Sequence, residues 1–329
     1  MRPIALIGLS VLIFGLILGI PERVRAAEAS FQSSSEDPMT QSSRLDQANA
    51  WLQDHLPQHA LSRLMYGVTR ITWRPFKNAF IRAFSAIYDI NLDEAVSADP
   101  DDYRHFNAFF TRALRADARP LAPGELVIAS PVDGLISQIG TINGTTLIQA
   151  KGRDFALGDL VGGDEALTQA FSGGSYAVIY LSPRDYHRIH MPLAGTLART
   201  GYIPGKLFSV NDATARSVPN LYARNERVIA LFDTGAGPMA VILVGAIFVG
   251  SMETVWAGQI TPPYRKSPSW SVFADESVRL SRGAELGRFN MGSTVVLLLP
   301  PGRTSWKPDR VAGTPVKMGE ALGNVTRIE

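Results

Sequence analysis

From residue 125 to its end, this chain is a succession of short apolar runs separated by Gly, Pro, Asn and Asp. The runs fall at 126–128, 135–139, 146–148, 176–180, 227–232, 239–249, 253–256 and 294–299. Each has strand length, and the separators are turn formers. Only residues 165–171 among them read as a helix. Parallel strands need helical crossovers, and no alternating strand–helix rhythm is visible. The pattern excludes a doubly wound sheet and points to antiparallel pairing. No GxGxxG or P-loop occurs.

The segment before these runs has a different period. From residue 47 to about 88, apolar residues recur at three- and four-residue steps, as Leu61, Leu64, Met65 and Val68, then Trp73, Phe76, Phe80, Phe84 and Ile87. Arg63, Arg70, Arg74, Lys77 and Arg82 lie between them. The pattern fits a helical hairpin packed on its own core with a solvated basic face. It fits equally a monotopic membrane surface, since aromatics beside cations suit an anionic interface. A further helix is expected over 103–114. The fold class is therefore α+β, a helical N-terminal portion followed by a mostly antiparallel β core.

Residues 4–20 are uninterrupted by charge, with Arg2 before them and Glu22, Arg23 and Arg25 after. At about 1.5 Å per residue the run falls slightly short of a hydrocarbon core of roughly 30 Å. It suits a short uncleaved anchor. Ala27-Glu28-Ala29 also offers a small-x-small signal cleavage site, which the intervening charges disfavour. Met39 is the natural start of a shorter chain. Residues 30–43, rich in Ser, Gln and acid, read as a solvated linker.

Composition narrows the chemistry. With no cysteine, thiolate metal sites, disulfides and a Cys nucleophile are excluded. A formal charge of +2 gives no argument for nucleic acid. Of five histidines only His187 and His190 are spaced like a site, and no Glu completes a zinc motif around them, so no metal is expected.

Two segments carry candidate chemistry. Asn290-Met291-Gly292-Ser293-Thr294 runs straight into the apolar run ending at Leu299, so a Gly-Ser pair is delivered onto the head of a strand. A Ser293 hydroxyl attacking the Gly292 carbonyl would turn an amide into an ester, and glycine leaves that carbonyl open. Backbone strain of about 1–3 kcal/mol accelerates such a step only modestly. A base and oxyanion donors must supply the rest. His190 is a candidate base and Asp133 a candidate orienting carboxylate. Taken alone, Asp133 in a Pro-x-Asp-Gly context reads as a turn residue, and Gly-Ser pairs are common.

The blocks SPVDGLISQIG at 130–140, IQAKG at 148–152, YLSPRDYHRIHMP at 180–192 and PGKLFSVN at 204–211 resemble the phosphatidylserine decarboxylase family in its bacterial long form. So do VPNLYARNERV at 218–228, VGAIFVGSMETVWAG at 244–258 and MGST at 291–294. They span most of the chain from about residue 50, in family order. Met291 stands where the family usually has Leu, a volume-conserving change. Residues 1–43 lie outside the resemblance.

The resemblance implies a decarboxylase that makes a pyruvoyl cofactor from Ser293 by cleaving the Gly292–Ser293 bond, leaving a β chain and a short α chain. Asp133, His190 and Ser293 match the family's self-processing set, His187 its decarboxylation histidine, and position 293 its Schiff-base site. The implied substrate is a phospholipid at a membrane surface, with the catalytic part on the cytoplasmic side and a homodimer as assembly. Lys151, Lys206 and Asn211 are headgroup candidates; both lysines read equally as surface residues. Tyr186 and Trp256 read as packing. The expected organisation, whose first two parts rest on the residues alone, is an anchor or leader at 1–29, a linker at 30–46, a helical membrane-associating region at 47–120 and a β-rich catalytic domain at 121–329.

Three rival readings exist. A Ser-His-Asp lipid hydrolase would need glycine at positions 291 and 295 for a nucleophile elbow, where Met291 and Val295 stand. A non-catalytic lipid-binding protein would not need the intact set of Asp133, His187, His190, Gly292 and Ser293. A pyruvoyl decarboxylase of a free amino acid would not need the aromatic-basic helices.

Overall fold

The computed structural model describes residues 44–150, 153–248, 251–273 and 277–326, with side chains from residue 50 onward except those of 212 and 213. The apolar run at 4–20 and Lys151 lie outside the described residues. Among those described, no helix is long and apolar enough to cross a membrane.

Three helices lead the fold, α1 (Arg44–His55), α2 (Gln58–Val68) and α3 (Arg74–Tyr88). Pro75 sits in the first turn of α3, where its missing N–H has no intrahelical partner to lose. Phe76, Phe80 and Phe84 repeat every four residues and are buried. Leu64 and Trp73 belong to the same apolar stripe, yet they are 62% and 55% exposed. The helix expected over 103–114 is confined to α4 (Phe106–Phe110). His105 Nδ1 caps its start by accepting from the Ala108 amide at 3.0 Å. Past Thr111 the chain extends so that Leu114 bridges Ala95. Phe106 stacks on Phe80 at 4.2 Å, and Phe84 meets Phe110 edge-on at 5.9 Å. This aromatic column joins α3 to α4.

The β core is organised by a nine-stranded sheet. Its strands are β1 (Gly134–Thr141), β2 (Ser175–Leu181), β3 (Gly195–Ile203), β4 (Arg227–Thr234), β5 (Gly237–Val244), β6 (Ser269–Val272), β7 (Arg279–Leu280), β8 (Ser293–Leu299) and β9 (Pro315–Val316). The order is β6-β3-β4-β5-β8-β2-β1-β9, with β7 also on β3. Every ladder in this sheet is antiparallel. The α+β expectation therefore holds.

β8 is an interior strand, buried at all seven positions between β5 and β2. A strand covered on both faces can be continuously apolar, which explains the unbroken run from Val295 to Leu299. β3 has no comparable apolar run, and the sequence reading passes over it. At Gly201 an added Cβ would lie 2.4 Å from the Trp270 ring, so the missing side chain is what lets that indole pack. The strand expected over 239–249 stops at Val244, where the chain turns into the loop of Gly245 to Phe248.

Leu297 lies opposite Ala177 on one side and Val241 on the other. Leu297→Ala should destabilise the fold by about 2–5 kcal/mol, read by urea unfolding, because small neighbours cannot collapse into the cavity. A loss below about 1 kcal/mol would contradict an interior β8.

Candidate active site

The two chemistry-bearing segments meet through strand pairing. Residues Arg188–His190 form a short strand antiparallel to Glu285–Phe289, with His190 opposite Glu285 and Arg188 opposite Arg288. The Phe289 amide donates to the His187 carbonyl at 3.0 Å. Two residues on, Met291-Gly292 delivers Ser293 to the head of β8, opposite Leu181 at the end of β2. Asn290 is pinned first: its amide donates to Ser251 Oγ at 2.7 Å and Glu253 Oε1 at 2.8 Å, and it accepts from Asn107 at 2.8 Å.

Ser293 is buried, and its hydroxyl has no hydrogen-bond partner. It borders a cavity of about 30 Å³, walled in part by Phe110, Leu181, Ser209, Ile247, Phe248 and Met291. That volume admits roughly a water or two. A Cβ built on Gly292 would have Leu181 O at 3.8 Å and His187 Cε1 at 3.9 Å as its nearest neighbours. Those are ordinary contacts, so the unbroken chain does not require glycine sterically. The bare Cα instead leaves the Gly292 carbonyl unshielded.

His187 is fully buried, stacked on Phe110 at 4.0 Å and 18°. Neither ring nitrogen makes a well-formed hydrogen bond, although the Pro183 and Ser182 backbone lies near enough to favour the protonated ring weakly. Burial, followed by the nearby Arg112 cation, pushes its pKa down to about 3, so the ring is neutral at physiological pH. His190 is differently placed. Its Nδ1 lies 2.8 Å from the Gly283 carbonyl and its Nε2 lies 3.0 Å from the Tyr186 hydroxyl. A carbonyl only accepts, so Nδ1 carries the proton and Nε2 is the basic nitrogen, accepting from Tyr186. Burial pushes the Tyr186 phenol up to about 12, which keeps that hydroxyl protonated.

Asp133, His190 and Ser293 do not form a hydrogen-bonded chain in this arrangement. The Asp133 carboxylate is held by Arg119, through Nε at 2.9 Å and Nη2 at 2.5 Å, and by the Met318 amide at 2.8 Å. Arg119 also reaches Glu94 at 2.6 Å. Burial holds the His190 pKa below its ordinary value; the Gly283 hydrogen bond and the Glu285 charge oppose this, and the Asp133 charge does so more weakly through space. Lys206 is ion-paired to Asp54 of α1 at 3.4 Å. Asn211 caps the helix Asp212–Ser217, its side chain accepting from the Thr214 amide at 3.0 Å. Trp256 packs edge-on against Phe232 and donates to Thr200 Oγ1 at 3.1 Å, and Tyr186 bonds His190. The sequence reading did not find Arg119, Asn290 or the role of Tyr186. Only Tyr186, one turn of motif away from His190, carried a usable signal.

The sequence matches the family described as Phosphatidylserine decarboxylase over residues 106–324, and one described as PSD over 48–89. It is 55% identical over 275 residues to a phosphatidylserine decarboxylase proenzyme of Methylococcus capsulatus, covering 84% of this chain and 96% of the relative. A protein of the same name from Nitrosococcus oceani is 53% identical, covering 83% and 90%. One from Pseudomonas fluorescens is 52% identical, covering 82% and 94%.

His187 makes acid sensitivity a readout of the site. Unfolded, the ring takes up a proton below its ordinary pKa of 6.5; folded, it does so only near 3. The stability it contributes is present above pH 6.5 and falls by about 1.4 kcal/mol per pH unit below it. Asp185, pushed up to about 6 by burial, acts in the opposite direction below that pH. The observable is therefore a difference: between pH 7 and 5, Tm should fall less steeply for His187→Gln than for the wild type. Equal slopes would contradict a neutral, buried ring.

Proposed function

This chain belongs to the phosphatidylserine decarboxylase family, and from that membership we infer that it converts phosphatidylserine to phosphatidylethanolamine and carbon dioxide after cutting its own backbone between Gly292 and Ser293. The observation that carries the reading is the Ser293 hydroxyl, buried and unpartnered beside an unshielded glycine. Leaving such a group unpaired costs about 1–3 kcal/mol. A hydroxyl kept free in this way is available to its own backbone.

In the processing step Ser293 Oγ loses its proton and attacks the Gly292 carbonyl carbon. The C–N bond breaks and an ester forms. Elimination of the Gly292 carboxylate, tautomerisation and hydrolysis with loss of ammonia leave an α-keto cap on residue 293. We assign the proton to Nε2 of His190, freed as the Tyr186 hydroxyl turns away. Glu285, opposite His190, and more weakly Asp133, held in place by Arg119, then favour the resulting imidazolium through space.

The apolar walls and the small cavity fit a pyruvoyl group at position 293. Such a group supplies a ketone for the substrate amine and an adjacent carbonyl that draws off the electron pair released with carbon dioxide. His187, neutral and next to Gly292, offers one N–H and one lone pair where that chemistry occurs. Phe110, Phe248 and Met291 keep water away from the developing charge. After the cut, residues from 293 onward stay seated, because β8 pairs with β2 and β5 and β9 pairs with β1.

The substrate's acyl chains lie in a bilayer. We place that bilayer, on its cytoplasmic side, against the outer face of α1 and α2. There Trp51, Leu52 and Leu64 are exposed beside the exposed Arg63.

Denaturing electrophoresis with intact mass tests the processing. The purified protein should run as two pieces, the C-terminal one beginning at residue 293, blocked to Edman chemistry and reactive with hydrazines. Ser293→Ala and His190→Ala should stay full length, whereas His187→Ala should be cut yet fail to turn over. Active material that is one unbroken chain would sink the reading. Product analysis should show phosphatidylethanolamine from phosphatidylserine vesicles and nothing from free serine. For the surface, Trp51→Asp with Leu64→Asp should weaken binding to anionic vesicles about tenfold or more, and unchanged co-sedimentation would contradict it.

A further inference from the structure

The helices α1 and α2 turn polar side chains inward beside the buried Met65 and the half-buried Leu61 and Val68. On α2 the buried positions are Gln58, Ser62 and Met65, while Leu64 faces out. On α1, Gln53 is buried while Trp51 and Leu52 are exposed. A helix docked only to bury apolar surface would need no polar side chains on its inward face. Here the inward face carries polar groups with fixed tasks.

Each of those groups receives a main-chain amide from a loop on the Ser293 cavity. Gln53 Oε1 accepts from Ser209 at 2.8 Å and Gln58 Oε1 from Leu207 at 2.7 Å. Ser62 Oγ accepts from Phe248 at 3.1 Å. Gln58 Nε2 donates to the Gln53 carbonyl at 2.8 Å, knitting the two helices together. Asn225 joins the loops to one another, donating to the carbonyls of Phe208 at 2.9 Å and Gly245 at 2.8 Å. Ser209, Val210, Ala246, Ile247 and Phe248 border the cavity. Phe248 holds a φ of 66°, in the left-handed region where a bulky side chain is strained. Such a conformation persists only where its surroundings hold it.

We propose that Gln53, Gln58 and Ser62 are positioning residues, through which the helix pair that faces the membrane holds the 207–210 and 245–248 loops as the wall of the Ser293 cavity. Contact with the lipid surface and geometry at the reacting residue then share one rigid element. This rests on the reading of Ser293 given above.

The test uses full-length, fully processed Ser62→Ala, Ser62→Thr, Gln53→Met and Gln58→Met. Each is assayed on phosphatidylserine in mixed phosphatidylserine–phosphatidylcholine vesicles and dispersed in detergent, with Tm measured alongside. Ser62→Ala and the two Met variants should lower kcat about tenfold to hundredfold on both substrate forms, with KM within twofold. Ser62→Thr, which keeps the hydroxyl, should restore the rate. Unchanged kcat, a Thr variant no better than Ala, or a loss confined to KM on vesicles would each overturn the proposal. So would collapse of all three acceptor-removing variants, which would make the contacts architectural only. Wild-type protein that forms no phosphatidylethanolamine would instead remove the decarboxylase reading, before any variant is compared.

Discussion

β8 carries seven buried residues into the middle of an antiparallel sheet, with an unpartnered hydroxyl at its first position. Full burial of each Val or Leu side chain contributes about 1.5–3 kcal/mol. A single unpaired hydroxyl costs about as much as one of them contributes. The strand can therefore hold Ser293 in an unsatisfied state that a surface loop could not maintain. The same pairing explains how a chain cut at the head of β8 remains one folded body. The sheet grips residues 293–299 from both sides, independently of the bond to Gly292.

Around that strand the fold separates two histidines that lie three residues apart. His187 turns into an apolar pocket against Phe110 and is held neutral by burial and by Arg112. His190 sits on a strand with its tautomer defined by Gly283 and Tyr186. One ring is suited to chemistry in a dry cavity, the other to receiving a proton near a carboxylate. Asp133 is bound to Arg119 and to the Met318 amide, which makes it a fixed negative charge rather than a mobile partner. Since Met318 follows Ser293 and Asp133 precedes it, the same contact also joins the segments on either side of that residue.

The N-terminal helices belong to this site rather than decorating it. Their inward polar residues meet the amides of loops that wall the cavity, and their outward face exposes Trp51, Leu52 and Leu64 beside Arg63. Phe80, Phe106, Phe84 and Phe110 continue the link from α3 to the ring of His187. The N-terminal helices and the Ser293 cavity are thus joined by short contacts.

Sequence alone determined the α+β class, eight of the eighteen described strands, the helix Glu165–Phe171 and the pairing of Gly292 with Ser293. These signals are local: period, turn formers and an unbroken apolar run report what a segment must bury. It also carried the motifs whose family resemblance made His187, His190 and Asp133 candidates. What it left undecided depended on partners distant along the chain. Leu64 and Trp73 sit on an apolar stripe, but only docking shows that Gln58 and Ser62 take the inward face. β3 is invisible without Trp270 lying over Gly201. Lys206 is a free cation in the sequence and an Asp54 partner in the fold. The Tyr186–His190 and Arg119–Asp133 bonds arise because folding brings strand ends together, and periodicity holds no information about which polar groups will meet there.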